Sequence, residues 1–225
     1  FIYQKKNILL KFIKKIKIFI LLKIKKAFIQ NRMMKQIITI IPVRMGSKRL
    51  KNKNILPINK MPMFVYVAKE AVKSKFKIKL FVSSESNKVQ DLCKKYNINY
   101  LKRPKFLSNS LIEKQEVIVH AIRKLIKKKE KIDIVISLQA NSPQFRANDL
   151  DKAISFFIKN NKREKIINEV ISVGKDNLQN GAFRIMKKKT VFQKTLSTKV
   201  GIFFTDYIDI HKKRDYQKVT KILTK

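Results

Sequence analysis

Apolar runs alternate with helical patterns along residues 37–159 of this 225-residue chain, and no other feature constrains its fold as strongly. The runs at 37–42 (IITIIP) and 132–138 (IDIVISL) are rich in β-branched residues, which is typical of strands buried on both faces. A third strand is predicted at 79–83, and helices are predicted at 62–71, 87–96, 113–129 and 148–159. Strands and helices in this order form a parallel sheet covered by helices on both faces, so the sequence predicts an α/β fold.

The rest of the chain adds shorter elements to the same domain. They are a strand at 98–100, an apolar run at 166–173, extended segments at 181–186 and 200–204, and a final helix at 213–223. There is no internal repeat and no Gly/Ser-rich linker, so residues 36–225 are predicted to form one domain. Ligands of open parallel sheets bind beyond the carboxyl ends of the strands, and the loops after residues 42, 82 and 138 are therefore the candidate sites.

Residues 1–35 differ from the remainder because they contain 11 basic residues and no acidic residue. Their uncharged run at 18–22 is far shorter than the roughly 20 residues of a membrane span, so no stable membrane insertion is expected. We interpret the segment as a basic extension that is disordered or not native, with the true start at Met33 or Met34. A basic amphipathic helix lying on a membrane surface is the alternative.

The net charge of +39 comes mostly from lysine, with 45 Lys and 9 Arg residues spread over every segment. Readers of nucleic-acid sequence rely on the planar Arg fork, so no nucleic-acid partner is predicted. The single cysteine, Cys93, excludes an intrachain disulfide and a Cys-based zinc site. It falls inside a predicted helix and is expected to be structural, and a reducing, cytoplasmic setting is predicted.

The loop at 44–54 carries five cations in eleven residues, with no acidic residue, directly after a predicted buried strand. Gly46 lets the backbone approach a ligand, and successive backbone N–H groups in such a turn can bind an anion. Arg44 and Lys48 add full positive charges, so the loop suits a triphosphate. It matches neither the Walker A spacing nor the dinucleotide fingerprint. A solvated basic loop in a lysine-rich protein is the structural alternative.

Six short motifs occur in the order found in one enzyme family. Residues 41–54 (IPVRMGSKRLKNKN) resemble the signature I-P-A-R-x-G-S-K-x-x-x-x-K-N of the CMP-N-acylneuraminate (CMP-sialic acid) synthetases, the acylneuraminate cytidylyltransferases. The other resemblances are VSSES at 82–86 to V-S-T-D-S, RPKFL at 103–107 to R-P-x-x-L, LQANSP at 138–143 to L-Q-P-T-S-P, NGA at 180–182 to N-G-A, and DIH at 209–211 to D-I-D.

This resemblance implies a fold and a reaction. The fold is a three-layer sandwich with a mostly parallel, Rossmann-like nucleotidyltransferase sheet. The reaction transfers CMP from CTP to an acidic nonulosonic, sialic acid-like sugar with release of pyrophosphate, and it uses Mg²⁺. The alternatives are another sugar nucleotidyltransferase, of the CMP-KDO synthetase kind or one that uses UTP or GTP, and a non-catalytic nucleotide or sugar binder.

The resemblance also assigns roles to individual residues. The nucleotide-binding residues it implies are Arg44, Gly46, Ser47, Lys48, Lys53, Asn54, Ser83 and Arg103. The substrate-binding residues are Gln139, Ser142 and Asn180, and the catalytic residues are Arg44, Lys48 and Asp209.

The metal motif departs from the family pattern at its second position. Asp209 is predicted to bind Mg²⁺, which prefers oxygen ligands, but His211 stands where the family has a second Asp, and histidine suits Mg²⁺ poorly. Asp209 would therefore act with phosphate oxygens and waters, or with Asp206. His211 would act as a base or bond to nearby backbone.

A second departure is the short stretch at 174–179, where family members carry a long subdomain that contacts the sugar and forms the dimer. The identity of the acidic sugar and the homodimer that the resemblance implies are therefore open at this point.

Overall fold

The computed structural model describes residues 35–47, 49–161, 167–195 and 197–224. Residues 36–225 group as one compact unit. The predictions for residues 1–34 and for Lys48 lie outside the described residues. Within the described part, no helix has the length and apolar character that crossing a membrane requires.

Seven strands form one sheet and two short strands form a separate hairpin. In chain order they are β1 (Ile37–Pro42), β2 (Pro57–Ile58), β3 (Met61–Pro62), β4 (Ile78–Ser84), β5 (Asn99–Lys102), β6 (Ile134–Leu138), β7 (Glu169–Val173), β8 (Gln179–Lys187) and β9 (Val200–Phe204). The sheet order is β5-β4-β1-β6-β8-β7-β9, and β2 pairs with β3. All neighbouring pairs in the sheet are parallel except the two that involve β8, so the mostly parallel sheet is confirmed.

Five α-helices accompany the strands: α1 (Met63–Ala71), α2 (Asn87–Lys95), α3 (Lys114–Lys127), α4 (Ala147–Lys159) and α5 (Lys213–Leu223). The apolar faces of α1, α2 and α4 share a core with Ile37 and Ile41 of β1. Helix α3 packs on the other face, against Ile38 and Ile40. Successive strand residues point to opposite faces, which explains why the uninterrupted apolar run of β1 serves both cores. This arrangement confirms the three-layer sandwich.

Cys93 lies in α2 and is fully buried with a free thiol, as its predicted structural role requires. Burial raises the pKa of this thiol to about 12. Because the thiolate is the reactive form, the side chain behaves as a small apolar core residue.

The antiparallel strand β8 was not anticipated from the sequence. A tight turn joins β7 to β8, and the backbone N–H of Gly174 donates to the Leu178 carbonyl over 2.8 Å. A connection this short permits only antiparallel pairing, since a parallel crossover needs a dozen or more residues. Strand β8 also pairs with β6, and it thereby joins β7 and β9 to the four parallel strands β5, β4, β1 and β6.

Helix α5 anchors the segment that precedes it to the edge of the site. Val219 of α5 and Ile210 share a small apolar cluster with Ile58 of the hairpin and Met63 of α1. All four side chains are fully buried. This packing fixes the backbone around Asp209, which is the residue predicted to bind the metal.

Candidate active site

The loops that follow β1, β5 and β6 enclose a cleft of about 520 Å³ at the carboxyl edge of the sheet. The position agrees with the rule for open parallel sheets. Its lining combines cations and amides with apolar side chains. The lining residues are Pro42, Arg44, Ser47, Arg49, Leu50, Lys53, Asn54, Arg103, Leu107, Asn109, Ser110, Ile112, Lys114, Val117, Leu138, Gln139, Ala140, Asn141 and His211.

The cation-rich loop after β1 is held by contacts at both of its ends. At its start the Val43 backbone N–H donates to the Ser83 carbonyl over 2.9 Å. At its end the Asn54 side chain donates to the Arg44 carbonyl over 3.0 Å, and the Lys53 ammonium donates to the Ile210 carbonyl over 2.7 Å. These contacts hold the two ends of the loop in place, which lowers the cost of ordering them when a ligand binds.

The structure brings most of the predicted nucleotide-binding residues to the cleft. Five of them line it: Arg44, Ser47, Lys53, Asn54 and Arg103. Gly46 is exposed on the same loop, and a Cβ built there would meet no atom within 4 Å, so the space beside it is open to a ligand. Ser83 is instead buried in β4 and is not part of the lining.

Arg103 is almost fully buried, and its guanidinium group is bound from several directions. It forms an ion pair with Glu85 at 2.9 Å, and its Nε donates to the Ser108 hydroxyl over 3.0 Å. Another bond runs from Arg103 Nη2 to the Val43 carbonyl over 3.3 Å. Neither Glu85 nor Ser108 was singled out from the sequence. Glu85 lies in a quoted motif, but its partner is 18 residues away and nothing in either segment indicates the pairing.

Asp209 lies beside Gln139 and Ser142, the residues that follow β6. Its Oδ2 accepts a hydrogen bond from the Gln139 amide over 2.7 Å, and its Oδ1 accepts one from the Ser142 hydroxyl. The His211 ring lies 3.5 Å from Oδ2. The predicted metal motif and the L-Q-x-x-S-P motif therefore meet in space.

Burial raises the pKa of the Asp209 carboxyl above its usual range, although the bond from Ser142 and the charges of Lys114 and Lys53 act against the shift. Desolvation also lowers the pKa of Lys53, whose ammonium is attracted by Asp209. A carboxylate and a lysine thus lie close together in a poorly hydrated part of the cleft, where charges interact more strongly than in bulk water.

The residues around Asp209 fit a magnesium-type ion only in part. Each Asp209 oxygen accepts one hydrogen bond and retains a lone pair for a cation. Within the described residues, no group of three His, Cys, Asp or Glu side chains could hold a metal by itself. Asp206, the alternative partner, is half-exposed and bound to Arg146 at 2.7 Å. Mg²⁺ is commonly held by one or two carboxylates together with substrate phosphates, and Asp209 can provide one of them.

The three predicted substrate-binding residues have different positions. Gln139 lines the cleft. Ser142 is buried and supports Asp209, and the Asn180 side chain bonds to Ser172 and Thr205 over 2.7 and 2.6 Å. Neither Ser142 nor Asn180 belongs to the cleft lining, so the structure places them behind Gln139 and Asp209.

Lys114, Arg49 and Asn141 line the cleft but were not predicted to be site residues. Lys114 opens α3, and Asn141 donates from its side chain to the Ile210 carbonyl over 3.1 Å. Among 45 lysines, composition cannot distinguish one at a cleft from one on an open surface. The arrangement as a whole can bind a polyanion on the loop after β1 and a second polar group near Gln139.

Residues 38–216 match the protein-family model described as cytidylyltransferase. Over 130 residues the chain is 33% identical to a Helicobacter pylori protein named pseudaminic acid cytidylyltransferase and UDP-2,4-diacetamido-2,4,6-trideoxy-beta-L-altropyranose hydrolase, which covers 57% of this chain and 25% of that protein. Over 87 residues it is 34% identical to the N-acylneuraminate cytidylyltransferase of Escherichia coli, which covers 39% of this chain and 21% of that protein. The chain thus spans well under half the length of either relative.

The fold resembles that of a solved CMP:2-keto-3-deoxy-manno-octonic acid synthetase in complex with CTP. The TM-score is 0.69 at 14% sequence identity, with 84% of this chain and 99% of that chain covered. At this identity the likeness concerns the fold alone. The family model covers most of the chain, and residues of four of the six motifs line one cleft, so this chain belongs to the cytidylyltransferase family.

Proposed function

We propose that this chain transfers CMP from CTP to an acidic nonulosonic sugar, with release of pyrophosphate. The observation that carries the proposal is the position of the cation-rich loop. Arg44 and Lys53 line one cleft together with Gln139, beside the carboxylate of Asp209. The family match and the CTP in the solved complex of the same fold support CTP as the donor.

On this proposal the loop after β1 binds the triphosphate. Arg44 and Lys53 line the cleft and supply full positive charges, and Ser47 can donate a hydrogen bond to a phosphate oxygen. Lys48 is proposed to add a further charge, as expected from the sequence. The attacking sugar hydroxyl displaces pyrophosphate from the α-phosphorus, so one P–O bond forms as another breaks. Catalysis of this kind rests on positioning and charge stabilisation rather than on a covalent nucleophile.

Gln139 and Asp209 are proposed to act at the reacting end of the triphosphate. A divalent cation such as Mg²⁺, held by Asp209, would offset the charge that develops on the phosphates. Ser142 and Gln139 orient the Asp209 carboxylate by binding one oxygen each. His211 lines the cleft 3.5 Å from Asp209 and can hold a proton near the attacking hydroxyl.

Turnover of a matched panel of substrates tests the function. The donors are CTP, UTP and GTP, and the acceptors are pseudaminic acid, N-acetylneuraminic acid and 2-keto-3-deoxy-manno-octonic acid, chosen from the names of the relatives and of the solved structure. We expect pyrophosphate release with CTP and at least one acid. Faster release with UTP or GTP would favour another sugar nucleotidyltransferase, and CTP binding without release would favour a non-catalytic binder.

We further propose that the enzyme forms a homodimer and acts in the cytoplasm, where its proposed substrate CTP is found. Within the described residues β9 is an edge strand, and it exposes Ile202 and Phe204 to 53% and 62%. Exposed apolar side chains on an edge strand favour association. Light scattering gives the molar mass in solution, and a monomer at every concentration would contradict the dimer.

A further inference from the structure

Lys114 is the first residue of α3, and it lines the cleft together with Gln139 and His211. In the part of the chain that the structure describes, its ammonium group has no hydrogen bond or ion pair. The cleft is open to solvent, so the residue is exposed. An ammonium group that faces a cleft without a fixed partner can be matched by an anion that enters it.

The surroundings of Lys114 also favour an anion. A cation at the first position of a 14-residue helix adds its charge to the positive end of the helix dipole, where anions are stabilised. Arg184 lies near enough to repel Lys114, whereas Asp209 attracts it.

Two lysines from different elements flank Asp209. Lys53 comes from the loop after β1, where its ammonium binds the Ile210 carbonyl, and Lys114 comes from the start of α3. The proposed reaction brings two anions together, a triphosphate and a sugar carboxylate. Each must be bound by its own cation if their repulsion is to be offset, and the loop cations already suit the triphosphate.

We propose that Lys114 binds the carboxylate of the acidic sugar and so selects acidic over neutral acceptors, an inference that rests on the proposed function. In a 2-ulosonic acid the carboxylate is attached to the carbon that bears the attacking hydroxyl. Binding the carboxylate therefore also places this hydroxyl, and Lys114 does so near Asp209.

The test compares Lys114→Gln and Lys114→Arg with the wild-type chain. Lys127→Gln is the matched control, since Lys127 is an exposed lysine at the other end of the same helix. Pyrophosphate release is measured with the acid that the wild type uses fastest and with its carboxamide, while KM is determined separately for sugar and CTP. We expect Lys114→Gln to raise the sugar KM about ten- to a hundredfold, the range of a lost charge-assisted bond.

The KM for CTP should remain within about threefold in Lys114→Gln, because the triphosphate is bound by other cations. Lys114→Arg should recover part of the loss, and the preference for acid over carboxamide should fall in Lys114→Gln alone. An unchanged sugar KM, or a rise in the KM for CTP instead, overturns the inference while wild-type turnover leaves the proposed function standing. Absence of wild-type turnover with every acid would overturn the function itself, and the inference with it.

Discussion

Glu85 and Arg103 form an ion pair of 2.9 Å beneath the loop that is proposed to bind the triphosphate, and both side chains are largely buried. Glu85 uses its other carboxylate oxygen to accept the backbone N–H of Met45 over 3.1 Å. One carboxylate thus connects the end of β4, the segment after β5 and the loop after β1. Because Arg103 also lines the cleft, the pair links the stability of the domain to the geometry of the site.

Glu85→Gln should lower the free energy of unfolding by about 3 kcal/mol, because it leaves the buried Arg103 without its counter-charge. The matched control is Glu130→Gln, which removes the partner of Lys79 in a more exposed pair and should cost less than about 1 kcal/mol. Denaturant unfolding measures both values. Equal losses of unfolding free energy in the two variants would show that the buried pair stabilises the fold no more than the exposed pair does.

The same pair predicts a pH dependence. Burial acts to raise the pKa of Glu85, but the bonds from Ser108 and Met45 and the charge of Arg103 outweigh it, so the pKa of Glu85 is lower in the folded state. Its contribution to stability is therefore present above the unfolded pKa of about 4.3 and is lost as pH falls through the lower folded value. The stability difference between wild type and Glu85→Gln should shrink below about pH 4. A difference that grows on acidification would refute this sign.

Lys48→Ala should weaken CTP binding by about 1.5–3 kcal/mol, the range expected for a lost charge-assisted contact. The control is Lys88→Ala, which removes an exposed lysine near the start of α2. Titration calorimetry with CTP compares the variants. CTP affinity that is the same in Lys48→Ala as in the wild type would show that Lys48 does not contact the nucleotide.

Asp209→Asn should lower kcat by about a hundredfold or more, since charge stabilisation through a bound cation contributes several kcal/mol. The side chain keeps its shape, and a flipped Gln139 amide can still bond to it. His211→Gln should cost less, provided that His211 is not the base. Turnover of both variants is measured with Mg²⁺ and after chelation. Near-normal Mg²⁺-dependent turnover in Asp209→Asn would mean that the metal site lies elsewhere.

A chain that starts at Met34 should fold and turn over like the full sequence. The reason is that residues 36–225 group as one compact unit that contains the whole cleft lining. Circular dichroism and pyrophosphate release compare the two chains. If the shortened chain fails to fold, residues 1–33 belong to the domain.

The elements that could be predicted from sequence are those with a strong local signal. The apolar runs of β1 and β6 fix two adjacent strands, and their carboxyl ends must meet at one edge, so the cleft follows from them. The two-residue strands β2 and β3 are too short to show a period. The reversed direction of β8 depends on a tight turn, and the residue composition of this segment does not indicate the geometry of that turn.

The residues of the site also differ in whether a local sequence signal could predict them. Arg44 and Lys53 belong to a loop whose charge is visible in the sequence. The bond between Gln139 and Asp209 joins residues 70 positions apart, and only the fold brings them together. Lys114 gave no local signal either, because a lysine at a helix start becomes a cleft residue only once α3 packs against the sheet.

The fate of the α-phosphorus of CTP shows most directly whether the protein transfers CMP to an acidic sugar. CTP labelled at the α-phosphorus is incubated with the protein, Mg²⁺ and the preferred acidic sugar, and the products are separated and identified by mass. We expect the label to appear in a sugar joined to CMP, with unlabelled pyrophosphate formed in equal amount. A sugar phosphate formed from the γ-phosphorus, or CTP that is bound but unchanged with every acid, would contradict it.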